Sequence, residues 1–173
     1  MAEISWAEQS PSVVLPGEAI LELEESLPGL FSQAYPQVLT HGDLSRTNIL
    51  VDEHSYEITG IVDWSLASVL PFGMELDSLF LFTGCMSLSG WHDYACQEQL
   101  RTDFWEEFWI TSGIEDNSRY REKIRTMAEL AAKIGAILGY AFQRNANGSS
   151  SEVVLPLNKM PENLRAWLSN SST

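Results

Sequence analysis

The spacing of apolar positions changes from helical to extended and back along the chain. From Gly17, Ile20, Leu23 and Leu27 recur at helical spacing with Glu22, Glu24 and Glu25 largely off their face, so a helix is expected there, closed by Pro28-Gly29. Leu30, Phe31 and Tyr35 add a short turn, and Pro36 forces an extended approach to Val38-Leu39. Ile49-Leu50-Val51 and Ile58-Thr59-Gly60-Ile61-Val62 are short, β-branched runs separated by Asp52-Glu53-His54-Ser55-Tyr56, the pattern of a hairpin with a longer loop. After Pro71-Phe72-Gly73 the helical period returns. Leu76, Leu79, Phe80 and Thr83 line a first helix ended by Gly84 or Gly90 with Ser87 and Ser89, and Tyr94, Leu100, Phe104, Phe108 and Trp109 support a second from about Asp93 to Thr111. A turn at 113–118 offers Asn117 or Ser118 as N-cap to the longest helix, marked by Tyr120, Ile124, Met127, Leu130, Ala131, Ile134, Leu138 and Ala141.

At the ends the pattern weakens. Residues 1–16 read as a lead-in segment, 145–151 as a polar loop, Leu164, Trp167 and Leu168 as a short terminal helix, and 169–173 as a frayed tail. The expected class is α+β, mainly α-helical, with one domain over 17–168. A length of 173 residues, 45% hydrophobic, suits one core, and six Trp argue against disorder.

Charge adds an asymmetry. Residues 1–100 hold 15 Asp and Glu against one cation, Arg46, while 101–173 balance nine against nine, so the net charge of -14 belongs to the first hundred residues. That field opposes nucleic acid and anionic membranes as partners. It favours a cationic substrate or, more simply, keeps the surface solvated. Cys85 and Cys96 have neither metal-site nor disulfide-framework spacing and read as free thiols. The N-terminus lacks the basic and apolar regions of a signal peptide, and the apolar run Leu79-Phe80-Leu81-Phe82 is too short to span a bilayer, so a cytoplasmic protein is expected. Asn147 and Asn170 begin glycosylation patterns that such a location leaves unused.

The candidate chemistry lies between Leu39 and Asp77. In His41-Gly42-Asp43-Leu44-Ser45-Arg46-Thr47-Asn48 an aspartate precedes an asparagine by five positions, and the second apolar run ends in Asp63-Trp64. The hairpin would bring Asn48, at its entry, close to Asp63, at its exit. An aspartate with an Asn/Asp pair of hard oxygens is what a site needs to hold a hydroxyl nucleophile beside magnesium-bound phosphates.

These runs, with Ala67, Pro71 and Glu75-Leu76, resemble the C-terminal lobe of the protein-kinase-like fold, most closely the aminoglycoside phosphotransferase and choline kinase branch. The resemblance implies ATP- and Mg2+-dependent phosphorylation of a small-molecule hydroxyl substrate. It implies that Asp43 accepts or orients the hydroxyl proton, that Asn48 and Asp63 are the metal ligands, and that Glu75 anchors the catalytic loop. His41 is expected to support that loop structurally, and Trp64 to pack. Arg46 is a candidate phosphate contact, with an exposed loop arginine as the equal alternative.

Gly42 stands where protein kinases carry arginine, Asp63 is followed by Trp64-Ser65, and only eleven residues separate Asp63 from Glu75, which turns the resemblance toward small-molecule kinases. The first lysine is Lys123, and nothing before His41 resembles a phosphate-covering loop. The expectation is therefore a C-terminal lobe whose apolar seam toward the other lobe is covered by a partner chain, self-association or residues 1–16. A non-catalytic pseudokinase or accessory binding protein is the alternative. A metal-dependent phosphohydrolase using His41, Asp43 and Asp63 is a third reading.

Overall fold

The computed structural model describes residues 17–88, 90–114, 117–144 and 150–155. The lead-in, most of the 145–151 loop, the terminal helix and the tail lie outside them. Helix α1, Gly17–Leu30, keeps Pro28 inside its last turn and so runs past the Pro-Gly pair. It does so because Leu30 is fully buried beside Leu23, Tyr35, Met74, Ile124, Ala131 and Ile134, and that burial offsets the backbone bond a helical proline forfeits. Leu27 points outward.

Strand β1, Gln37–Thr40, pairs antiparallel with β4, Ser68–Pro71, in the register Leu39↔Val69 and Thr40↔Ser68. Between them lies the hairpin of β2, Ile49–Val51, and β3, Ile58–Ile61, with a register shift between Leu50 and Val51. The Asp52 carboxylate closes its loop by accepting the His54 and Ser55 N–H groups at 3.0 and 2.8 Å, and these bonds hold its pKa below the usual carboxylate value.

Helix α2, Leu76–Phe82, is followed by a hairpin of β5, Gly84–Ser87, and β6, Gly90–Asp93, where helix was expected from Asp93. The Trp91 indole lies so close over Gly84 that a Cβ there would overlap the ring. Helix α3 accordingly starts later, at Gln97, and runs to Thr111. Helix α4, Ser118–Tyr140, is capped by Asn117, whose side chain accepts the Tyr120 N–H at 3.1 Å. Strands β7, Phe142–Arg144, and β8, Ser150–Val154, form a further antiparallel pair that the polar-loop reading did not anticipate.

The described residues are thus mixed α and β, about half of them helical, with small antiparallel sheets. The buried face of α4 is largely small: Ala128, Ala131, Ala132 and Ala136 accompany Ile124 and Ile134, whereas Leu138 is half-exposed. These small residues let the turn at 73–75 lie directly on the helix. A Cβ on Gly135 would overlap the Met74 carbonyl oxygen, so only glycine permits this approach. On the other side of the turn, Phe72 stacks on Phe108 with ring centroids 4.8 Å apart, beside buried Trp105 and its neighbours Phe104 and Trp109. The turn that carries Glu75 thus rests on α4, and Phe72 just before it packs on α3.

Among the described residues no helix is long and apolar enough to cross a membrane.

Candidate active site

The segment after β1 is fixed mainly through its backbone. Glu75 Oε2 accepts the His41 N–H at 2.7 Å and Oε1 accepts the Leu44 N–H at 3.2 Å, so one carboxylate spans both ends of the His41–Leu44 turn. His41 is 3% exposed and works from inside the turn. The Asp43 N–H donates to its Nδ1 at 3.3 Å, which leaves Nε2 as the protonated nitrogen, donating to the Val62 carbonyl at 2.7 Å. One imidazole therefore links the catalytic-loop candidate to the end of the hairpin. Trp64 covers that ring at 4.8 Å while itself half-exposed, and its indole N–H donates to the Ile61 carbonyl. It lies over the site rather than in the core.

Gly42 makes the turn possible. Its φ is +83°, and a Cβ would overlap the Leu66 carbonyl oxygen. An arginine has no room there, which gives a steric reason for the His-Gly-Asp form.

Asn48 donates from Nδ2 to the Asp43 carbonyl oxygen at 2.9 Å and approaches Oδ2 of the same residue at 3.5 Å. Its Oδ1 remains available as an acceptor. The Asn48 carbonyl accepts the Val62 N–H at 2.9 Å, so the hairpin ties Asn48 to the residue before Asp63. Asp63 is exposed and left-handed, with φ 62° and ψ 57°, and its Oδ1 accepts the Ser65 hydroxyl at 2.8 Å. A non-glycine residue held in that region carries backbone strain, which the surrounding bonds maintain.

Asp43 and Glu75 border a cleft of about 510 Å³ between the loop, α2 and the C-terminal part of α4. Leu70, Met74, Phe82 and Leu138 contribute apolar wall, and Asp77 and Tyr140 polar groups. Arg46 also lines it, with its guanidinium donating to the Gly84 carbonyl at 3.1 Å and lying 5.7 Å from the Phe82 ring centroid. Burial pushes the Asp77 carboxyl up to about 6; the Ser78 N–H opposes that shift, and nearby Glu75 adds to it. A second cavity of about 260 Å³, bounded by residues such as Leu76, Leu79, Leu100 and Phe104, has no carboxylate.

The structure brings four of the six candidate residues, His41, Asp43, Asn48 and Glu75, into one bonded network; Asp63 follows Val62, which that network holds, while its own carboxylate accepts from Ser65, and neither Asn48 nor Asp63 lines the cleft. Arg46 sits at the cleft but turns toward the β5–β6 hairpin. Sequence reasoning missed Asp77. Its signal is the lone carboxylate in the first turn of the largely apolar helical run Leu76–Phe82.

Among the described residues no three His, Cys, Asp or Glu side chains are grouped to enclose a metal ion. Asn48 Oδ1 and the Asp63 carboxylate supply hard oxygens of the kind magnesium takes one or two of, with water and phosphate filling the remaining positions.

These features define a mixed α and β domain in which a rigid, carboxylate-bearing loop faces a cleft of small-molecule size. The chain belongs to the phosphotransferase enzyme family, APH, whose family model matches residues 5–108. No curated protein matches the chain, and no solved structure does.

Proposed function

We propose that the chain carries the catalytic half of an ATP- and Mg2+-dependent phosphotransferase acting on a small-molecule hydroxyl, built as the C-terminal lobe of a protein-kinase-like fold. The observation that carries this reading is the double anchoring of the His41–Leu44 turn by Glu75, with Asn48 bonded to Asp43 inside the same network. Such anchoring preorganises an exposed carboxylate at the mouth of a cleft, where it can orient an acceptor hydroxyl and take its proton as the bond to phosphorus forms.

In this reading Asn48 Oδ1 and Asp63 hold magnesium, which supplies charge neutralisation on the transferring phosphoryl group when bound with nucleotide. The left-handed backbone at Asp63 aims its carboxylate, and the Ser65 hydroxyl restricts its rotation. His41 positions both halves by joining the Asp43 N–H to the Val62 carbonyl. Arg46 serves as a phosphate contact when released from the Gly84 carbonyl.

A lysine and a phosphate-covering loop complete nucleotide binding in this scheme, and the first lysine of the sequence, Lys123, lies on α4. We assign that part to a further polypeptide segment or partner chain packed on the apolar sheet faces. Leu39 and Val69 are 63% and 66% exposed as a cross-strand pair, and Leu50, Ile58 and Ile61 are also exposed. The carboxylates Asp52, Glu53 and Glu57 nearby favour a basic rim on whatever covers that face.

The test is phosphoryl transfer or ATP hydrolysis with magnesium, by the protein together with any segment or chain that covers this face. Asp43→Asn is expected to lower kcat by about 10²–10⁴, and Asp63→Ala to weaken the magnesium dependence. An active protein in which both variants match the parent would refute the assigned roles.

A further inference from the structure

Helices α2 and α3 do not close completely on each other. Between them lies the cavity of about 260 Å³, lined by Leu76 and Leu79 of α2, by Phe104 and Trp105 of α3, and by Phe82 at the end of α2. Phe82 is the one residue that lines both this cavity and the cleft beside Asp43, and none of His41, Asp43, Asn48, Asp63 or Glu75 lines it. The lining carries one charge, that of the half-buried Arg101, and no carboxylate. Its sign is the reverse of the adjoining sequence, because residues 1–100 hold 15 Asp and Glu against Arg46 alone.

We propose that this cavity is a second ligand site, which takes a small aromatic carboxylate: a fused-ring body between α2 and α3, and a carboxylate paired with Arg101. The site is independent of the phosphotransfer reading, since no residue assigned to that reaction lines it.

Volume, wall chemistry and charge each point to this class. An apolar cavity of about 150 Å³ holds benzene, so the larger space here matches two fused rings. The walls are aromatic as well as aliphatic. Phe104 and Trp105 meet edge to face with centroids 5.2 Å apart, and a planar ligand extends that arrangement. A guanidinium offers parallel N–H donors that match the two oxygens of a carboxylate, and partial burial spares the pair some of the screening that weakens exposed ones. Arg101 thereby fixes the direction in which the ring enters.

Calorimetry with the complete chain tests the assignment, with naphthoate, naphthylmethanol and acetate as probes of ring plus charge, ring alone and charge alone. Naphthoate is expected to bind with a Kd below about 1 mM and about five-fold more tightly than naphthylmethanol, the size of a partly exposed ion pair, and acetate to show no binding. Arg101→Gln is expected to bring the two naphthyl probes within about two-fold of each other by weakening naphthoate alone, and Arg101→Lys to retain part of the difference. Leu79→Trp fills the cavity and is expected to weaken both by about ten-fold or more. In methyl NMR spectra of the parent, naphthoate should shift Leu76 and Leu100 and leave Leu70 and Leu138, which line the other cleft, in place.

Arg101 is half-exposed and outside the core, so the charge comparison decides the matter even where Leu79→Trp does not fold. Absence of naphthoate binding, as when a further segment or a second copy of the chain fills the space, would overturn the assignment. So would equal affinity for the two naphthyl probes in the parent, an unchanged difference in Arg101→Gln, or shifts confined to Leu70 and Leu138.

Discussion

The segment from β1 to α2 and the packed pair α3–α4 are stabilised by different forces. In the first, exposed side chains stand on a frame of backbone and carboxylate hydrogen bonds: Glu75 to His41 and Leu44, His41 to Val62, Asn48 to Asp43. In the second, the frame is apolar contact, from the alanines of α4 to the aromatic cluster around Trp105. The difference separates stability from chemistry. Asp43 and Asp63 hold little of the core and are free to be selected for their carboxylates, whereas the turn at 73–75, seated on α4, transmits the rigidity of the helices to the loop.

If that turn is the link between the two regions, damage on the helical side should reach the loop. Gly135→Ala forces a methyl group into the Met74 carbonyl, and we expect a loss of about 3 kcal/mol or more in chemical denaturation, together with lost activity at saturating substrate. A variant with normal stability would show that the turn does not rest on α4. Glu75→Gln acts at the link itself. It substitutes a donor for one acceptor and leaves a backbone N–H of His41 or Leu44 unpaired, for a cost of about 1–3 kcal/mol and increased hydrogen exchange confined to the loop. Exchange spread evenly over α4 would contradict the separation.

A third effect, no larger than that of Glu75→Gln, is expected to have the opposite sign. Asp77 is raised from 3.8 to about 6 in the folded protein, so folding favours its protonated form. Its contribution is fully favourable below about pH 4 and is lost as pH rises through about 6. Asp77→Asn should therefore stabilise the protein at pH 7.5 by on the order of 1–3 kcal/mol and change little below pH 4. Thermal melts at the two pH values give the check, and equal shifts at both would exclude burial of the charge as the cause.

Local signals carried the reading of α1, the β2–β3 hairpin and α4, because each has a period that its own residues express. They failed where partners are distant. Strand β4 was invisible because Ser68–Pro71 is a strand only by pairing with β1, thirty-odd residues earlier, and β5–β6 because Trp91 folds over Gly84. The apolar spacing in α3 includes Leu100, which is exposed, and does not include Trp105, which the aromatic cluster buries. Of the site, the motif placed His41, Asp43, Asn48, Asp63 and Glu75 in one proposal, whereas Asp77 emerged only with the cleft.

By itself, the sequence determined the family, the acidity of the first hundred residues and the residue types of the candidate site, since spacing and composition are properties of the chain alone. Tertiary structure decided how those residues are held. The tautomer of His41, the division of Glu75 between two N–H groups, the direction of Arg46 and the elevated pKa of Asp77 each depend on atoms brought together across the fold. Hydrogen bonds and desolvation act over a few ångströms of space, and no sequence interval encodes that distance.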